Sequence, residues 1–269
     1  MPLRSPILNV MVTAALKASR KLARDFGEVE QLQVSRKGPA DFVTAADKKS
    51  EETIFEMLST ARPDYGFVME KRGLIKGKRP EMTWVVDPLD GTTNFLHGIP
   101  HFAISIALLE KGQITAAVIY NPIQDEMYWA EAGQGAWMND RRLRVSARPD
   151  LGDSLLATGI PWRGRPGYER FEKELTALAP KVAGIRRFGA ASLDLAYVAA
   201  GRFDGFWEND LKSWDIAAGV LLVKEAGGYV TETDGGGNPI ETGSILATNE
   251  VIHSDLQKAL KDASWNLFE

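Results

Sequence analysis

Ile7, Val10, Met11, Ala14, Ala15, Ala18, Leu22 and Phe26 recur at spacings of three and four, the period of one buried helix face, and Gly27 ends the run. The pattern then predicts a short strand over residues 29–35 and a Lys-Gly-Pro-Ala-Asp loop at 37–41. Thr44 and Asp47 resemble a capping box and open a helix reaching about residue 60. A turn at 62–66 leads to a strand at 66–69, which runs into Glu70. Residues 72–81 are polar and rich in Gly and Lys, and are expected to form a mobile loop. Residues 84–86 are a buried strand that ends at Asp87-Pro88-Leu89-Asp90-Gly91-Thr92-Thr93-Asn94.

Beyond that motif, apolar runs at 101–110, 114–120, 126–131 and 136–138 are separated by Lys-Gly, Asn-Pro and Gly-Gln-Gly turns, which predicts an antiparallel meander. From about residue 146 the texture changes. Strand-like runs at 155–158, 205–207, 229–231 and 245–248 alternate with helices at 168–179, 192–200, 215–226 and 251–261. The expected class is therefore α+β, with an N-terminal α+β half over 1–145 and a C-terminal α/β half over 146–269, joined as one compact unit.

The 269 residues, 44% hydrophobic, suffice for a sizeable core. Net charge is -4 with no basic stripe, so nucleic acid is not an expected partner. There are no cysteines, which removes disulfides, thiolate zinc sites and cysteine nucleophiles together. The first residues, Met-Pro-Leu-Arg-Ser-Pro, show no continuous apolar leader, and no stretch approaches the roughly 18 apolar residues that span a bilayer. The expectation is a cytoplasmic protein without a membrane partner.

Asp87 and Asp90 stand three residues apart at a strand end, beside a Gly-Thr-Thr turn. Two carboxylates held close repel unless a cation lies between them. Such oxygen ligands suit Mg²⁺ or Mn²⁺ rather than zinc, and the bare amides after Gly91 can receive an anion. Divalent metal beside an anion pocket points to phosphate chemistry. Three further acids need not share it. A helix dipole accounts for Asp47, solvation for Glu70 after its strand, and N-capping for Asp215. His97 and His101 are split by Gly98 and Pro100, so they and His253 are not expected to bind metal. Trp84, Trp207 and Trp214 read as core that could wall a site. No P-loop, dinucleotide fingerprint or Gly-x-Ser-x-Gly elbow is present. The Asp-x-Asp-Gly-Thr signature of haloacid-dehalogenase-like phosphatases differs by one residue of spacing, which turns a strand side chain to the opposite face.

Taken together, Asp41-Phe-Val-Thr-Ala-Ala-Asp47, Gly66-Phe-Val-Met-Glu70, the stretch 84–94, Trp214-Asp215-Ile-Ala-Ala-Gly219 and Glu225-Ala-Gly-Gly228 resemble the inositol monophosphatase family of metal-dependent sugar and polyol phosphatases. The resemblance implies a five-layered αβαβα sandwich, a homodimer, and Mg²⁺-dependent hydrolysis of a phosphate monoester. Two or three ions per subunit are implied, with Mn²⁺ as a substitute and Li⁺ as an inhibitor. By resemblance, Glu70, Asp87, Asp90, Asp215 and the carbonyl of Leu89 hold metal, with Asp87 bridging. Asp47 and Thr92 orient the attacking water. Asp90, Gly91, Thr92, Gly189, Ala190, Ala191 and Glu208 bind substrate.

One departure stands out: the family's two consecutive acids are here Glu70 and Lys71. An inward ammonium would repel Mg²⁺, whereas an outward one would be harmless, so the expectation is weaker Mg²⁺ affinity or a more mobile loop after residue 70. Lys212, in the loop before Trp214, is a candidate for shaping leaving-group preference, a solvated loop lysine being the plainer reading. The expected substrate is myo-inositol 1-phosphate or a similar polyol or sugar phosphate. Fructose bisphosphate, histidinol phosphate, nucleotide 3'-phosphates and NADP are the superfamily alternatives, since specificity resides in loops at about 160–167, 186–192 and 208–213. A weakly catalytic regulator that binds protein or RNA is the alternative from another class.

Overall fold

The computed structural model describes residues 3–28, 34–36, 42–162 and 164–265. The expected loop at 37–41, with Asp41, and residues 29–33 of the first expected strand lie outside them. In chain order the elements are α1 (Pro6–Phe26), β1 (Val34–Arg36), β2 (Phe42–Thr44), α2 (Ala45–Ala61), β3 (Tyr65–Met69), β4 (Gly73–Ile75), β5 (Arg79–Asp90), α3 (Thr92–Leu96), β6 (Ala103–Glu110), β7 (Gln113–Asn121), β8 (Glu126–Glu131), β9 (Gly135–Met138) and β10 (Arg141–Arg142). The second half adds β11 (Leu155–Thr158), α4 (Tyr168–Leu178), β12 (Gly184–Arg186), α5 (Ala191–Ala199), β13 (Gly205–Glu208), α6 (Ser213–Glu225), β14 (Tyr229–Thr231), α7 (Pro239–Thr242), β15 (Ile245–Thr248) and α8 (His253–Trp265).

Among the described residues β1 and β2 pair with each other. An eight-stranded sheet runs β10-β9-β8-β7-β6-β5-β3-β4, and a five-stranded sheet runs β12-β11-β13-β15-β14. The expected meander is there: β5 to β10 pair antiparallel in sequence order, and β3 lies parallel to β5. Helices α1 and α2 pack on one face of the large sheet, α5 and α6 lie between the two sheets, and α4 and α8 pair beyond the small sheet. This is the expected αβαβα layering. The period-of-three-and-four face of α1 (Leu8, Met11, Ala15, Ala18, Leu22) is buried with Trp84, Val86 and Val118 of the sheet. The middle layer needs no polar face. α5 and α6 are buried on nearly every side, and their core includes Ala107, Ala117 and Tyr128 of one sheet with Phe206 and Ala247 of the other.

The expected mobile loop at 72–81 is a correction. It contains β4, paired antiparallel with β3, and the start of β5. Gly77 makes this packing possible: a Cβ there would stand 2.4 Å from the Gly66 amide nitrogen and the Tyr65 carbonyl carbon. No helix among the described residues is long and apolar enough to cross a membrane.

Candidate active site

The acids singled out in the sequence stand at element ends that the layers bring together. Asp47 lies in the first turn of α2 and is fully buried. Glu70 follows β3, whose register beside β5 sets Met69 against Val86, and the Glu70 N–H donates to the Val86 carbonyl at 3.4 Å. Asp87 and Asp90 close β5, with a register shift against β6 between them. The Pro88 carbonyl inside that irregularity accepts from Ser50 Oγ of α2 at 2.8 Å, which pins the strand end to the helix carrying Asp47. Asp215 caps α6 from within: its Oδ2 accepts the Lys212 N–H at 2.7 Å. The N-cap role expected of Asp215 therefore belongs to Lys212, with Asp215 as the returning acid three residues on.

These carboxylates feel one another. Burial pushes Asp87 well above the ordinary carboxylate range, and Glu70, Asp90, Asp215 and Asp47 push it further. Burial pushes Asp215 up to about 7, with Asp90 and Glu70 adding to it. Asp90 is pushed up to about 6 by burial, held back by hydrogen bonds from the Ser192 hydroxyl and amide. Burial likewise pushes Asp47 up to about 7, while Lys71 pulls it down and Glu70 opposes that pull.

Gly91 has φ +87, and a Cβ on it would meet the His101 carbonyl at 2.9 Å, so only glycine makes this turn without strain. It places Thr92 at the start of α3. Thr92 Oγ1 donates to the Leu89 carbonyl at 2.9 Å, and the Leu89 N–H donates to Asp87 Oδ1 at 3.0 Å. Asn94 then ties α3 across the molecule, donating to the His101 carbonyl at 2.8 Å and the Phe188 carbonyl at 2.7 Å.

A cavity of about 550 Å³ opens above this floor. Glu70, Asp90 and Asp215 line it together with Gly189, Ala190, Ala191 and Glu208. The structure thus brings all three suspected specificity loops to one wall, through Trp162, Arg165, Arg187, Asp210 and Lys212. Burial pushes Glu208 up to about 8, against the pull of Arg165, whose Nη1 lies 3.8 Å from Glu208 Oε1. Gly159 leaves room for that acid: a Cβ there would sit 2.0 Å from the Glu208 carboxyl carbon. The Arg165 guanidinium stacks 4.3 Å from the Trp162 ring centroid.

Sequence reasoning named no role for three lining or supporting residues. Ser192 holds Asp90 from the first turn of α5, and a serine opening a helix was the available signal. Asp194 is buried with Oδ1 unpartnered among the described residues, and burial and Glu208 raise it well above its ordinary range. Arg165 gave no signal, because the Glu208 carboxylate and the Asn209 and Asp210 carbonyls it meets lie far along the chain. His101 packs edge-on against Phe188 and Tyr197, and His253 hydrogen-bonds Thr248 and Thr231. Trp84 and Trp207 are core, whereas Trp214 is on the cavity wall.

The donor set is entirely oxygen, which fits a hard divalent cation. Glu70 Oε2 is buried without a hydrogen-bond partner among the described residues, as a ligand atom would be. No three of these side chains are already arranged as a coordination shell among the described residues, and Glu70 is turned onto Lys71. The residues fit Mg²⁺ by the chemistry of their oxygen donors and by the charge they concentrate in one place.

The inositol monophosphatase family model matches residues 3–267. An inositol-1-monophosphatase of Mesorhizobium japonicum is 59% identical over 258 residues, covering 96% of this chain and 97% of that one. The Nus factor SuhB of Escherichia coli is 42% identical over 257 residues, covering 96% of each. The crystal structure of the extragenic suppressor protein suhB of Bartonella henselae superposes with a TM-score of 0.93 at 57% identity, covering 96% of this chain and 99% of that one.

Proposed function

The chain belongs to the inositol monophosphatase family, and from that premise we propose that it hydrolyses myo-inositol 1-phosphate, or a closely similar polyol phosphate, to the free polyol and inorganic phosphate. One observation carries the reading: acids from four separate stretches of chain lie close enough that Asp47, Glu70, Asp90 and Asp215 together raise the proton affinity of Asp87, and Glu70, Asp90 and Asp215 line one cavity. A protein that only bound a partner would have no use for such a concentration of buried charge.

Glu70, Asp87, Asp90, Asp215 and the Leu89 carbonyl would hold Mg²⁺, with Mn²⁺ as a substitute and Li⁺ as an inhibitor. When bound, Mg²⁺ supplies charge neutralisation on the non-bridging phosphate oxygens and makes water more acidic. The chain's own groups supply orientation. With its proton committed to the Leu89 carbonyl, the Thr92 oxygen is left as an acceptor. Thr92 and Asp47 together then accept the two hydrogens of the attacking water and direct its oxygen at phosphorus. Asp47 takes the proton as the P–O ester bond breaks. The leaving oxygen is protonated from solvent. The amides of Gly91 and Thr92 face the phosphate, while Asp90, Gly189, Ala190, Ala191 and Glu208 face the ring hydroxyls. At neutral pH Glu208 is mostly protonated, so it can donate to a hydroxyl as well as accept.

The test is phosphate release from myo-inositol 1-phosphate, fructose 1,6-bisphosphate, histidinol phosphate, a nucleotide 3'-phosphate and NADP, each with Mg²⁺ and with EDTA. Turnover should be highest on the inositol ester and vanish in EDTA. No turnover on any of them by folded protein would overturn the reading and favour a regulatory role, for which the SuhB relative's name is the one supporting observation. The same reading carries a homodimer in the cytoplasm, checked by light scattering and by fractionation.

A further inference from the structure

Lys71 points inward. Its Nζ lies 2.9 Å from Asp47 Oδ2 and also bonds Glu70 Oε1, and its side chain is only 9% exposed. Both ends of the residue are fixed by α2. The Lys71 amide donates to Glu51 Oε2 at 2.8 Å, and Arg72 Nε stands 3.5 Å from Glu51 Oε1. Glu51 follows Asp47 by one helical turn, so the two acids share a face of α2. One holds the ammonium and the other the backbone that carries it. Burial alone would lower the proton affinity of Lys71, but Asp47 and Glu70 outweigh it and keep the ammonium charged.

The charge count gives this placement a consequence. Asp47, Glu70, Asp87, Asp90 and Asp215 carry five negative charges when ionised. One ammonium leaves four, which two divalent ions cancel. A third divalent ion would leave the floor doubly positive, and it would compete with Lys71 for Glu70 and Asp47. Resting on the phosphatase reading above, we propose that Lys71 is a resident cation of the active site, bound between Asp47 and Glu70 where a further divalent ion would otherwise sit, so that this chain takes up two ions and keeps that wall of the site closed without metal. Glu70 is then shared: one oxygen stays on Lys71, and the unpartnered Oε2 is the one free to meet an ion.

The experiment counts ions and does not depend on activity. Mn²⁺ bound per chain is measured by equilibrium dialysis for the full-length wild type, Lys71→Glu and Lys71→Gln, and thermal melting of each is followed in EDTA and in saturating Mg²⁺. Wild type should bind two ions and Lys71→Glu one more. In EDTA both variants should melt below wild type, because Asp47 and Glu70 lose the ammonium that lies between them, and Mg²⁺ should raise their melting temperatures more than it raises that of wild type. Three ions on wild type, or equal counts for wild type and Lys71→Glu, would overturn the proposal while leaving the phosphatase reading intact. Absence of Mn²⁺ binding by all three chains overturns the metal-dependent reading itself, and this proposal with it. If Lys71→Glu fails to fold, the wild-type count and the melting of Lys71→Gln still decide.

Discussion

Asp87 must hold a negative charge where burial and four other carboxylates resist one, so its ionisation costs the folded protein stability in the absence of metal. Its folded proton affinity is raised, so the cost begins as pH rises above the unfolded value of about 3.9 and grows until the folded carboxyl itself ionises. Asp87→Asn removes that cost. The variant should melt at a higher temperature than wild type in EDTA at pH 7.5, yet lose about a thousandfold in activity, since several kcal/mol of transition-state stabilisation go with the proposed metal ligand at about 1.4 kcal/mol per decade. Full activity, or a lower melting temperature in EDTA, would contradict this. Glu208 obeys the same sign with a different window. Its folded value of about 8 lies above its ordinary 4.5, so wild type falls progressively behind Glu208→Gln between those pH values. Melting curves from pH 4 to 9 should coincide at the acid end and separate by several degrees by pH 9, with parallel curves counting against the account. At this scale the acids were legible because carboxylates at strand and helix ends are conspicuous in sequence. The direction of Lys71 was not, because it depends on Glu51 gripping an amide twenty residues away.

Helices α5 and α6 meet through Gly219, where a Cβ would stand 2.4 Å from Leu195 Cδ1 and 2.5 Å from its Cβ. This contact matters to the site because α5 carries Ser192, which holds Asp90, and α6 carries Asp215. Gly219→Ala gains about 1 kcal/mol of helix propensity, while overpacking a close interface costs about 1–3 kcal/mol. The clash involves the Leu195 Cβ as well as its flexible tip, and the Cβ cannot turn away, so the cost should win. The variant is expected to be less stable by up to about 2 kcal/mol, taking the difference of those ranges, with weakened activity. Gly219→Ala with Leu195→Gly, which removes that Cβ, should lose less than the sum of the two single losses, and a double variant that merely adds them would rule out the contact as the cause. Elements with strong periodicity, such as α1 and β6 to β8, were readable within a few residues. The segment after Glu70 was not. Its Lys and Gly content matches a loop, and only the tertiary fit of Gly77 against the backbone of residues 64–66 shows why the chain is extended there. β12 was missed for a related reason: three half-exposed residues at the sheet edge carry no alternation to detect.

The two sheets share the α5–α6 layer, and the candidate site takes residues from both sides of it. Glu70, Asp87 and Asp90 come from the large sheet, Asp215 from the middle layer, and Glu208 from the small sheet. The core around α6 joins Ala107, Ala117 and Tyr128 to Phe206 and Ala247, so neither sheet can lose its partner without exposing this layer to water. Unfolding of one half therefore removes the apolar support of the other, and the chain should melt in a single transition. Trp84 and Trp129 report on the large sheet and Trp207 on the small one, so tryptophan fluorescence and far-ultraviolet circular dichroism should give coincident curves. An ion bound among acids drawn from two layers must shift that transition as a whole: at a hundredfold excess over its dissociation constant, one ion adds about 2.7 kcal/mol to the folded state. Mg²⁺ should accordingly move both curves upward together, and EDTA should return them together. Two resolved transitions, of which Mg²⁺ moved only one, would mean that the metal ligands do not link the layers and that the sheets fold as separate units.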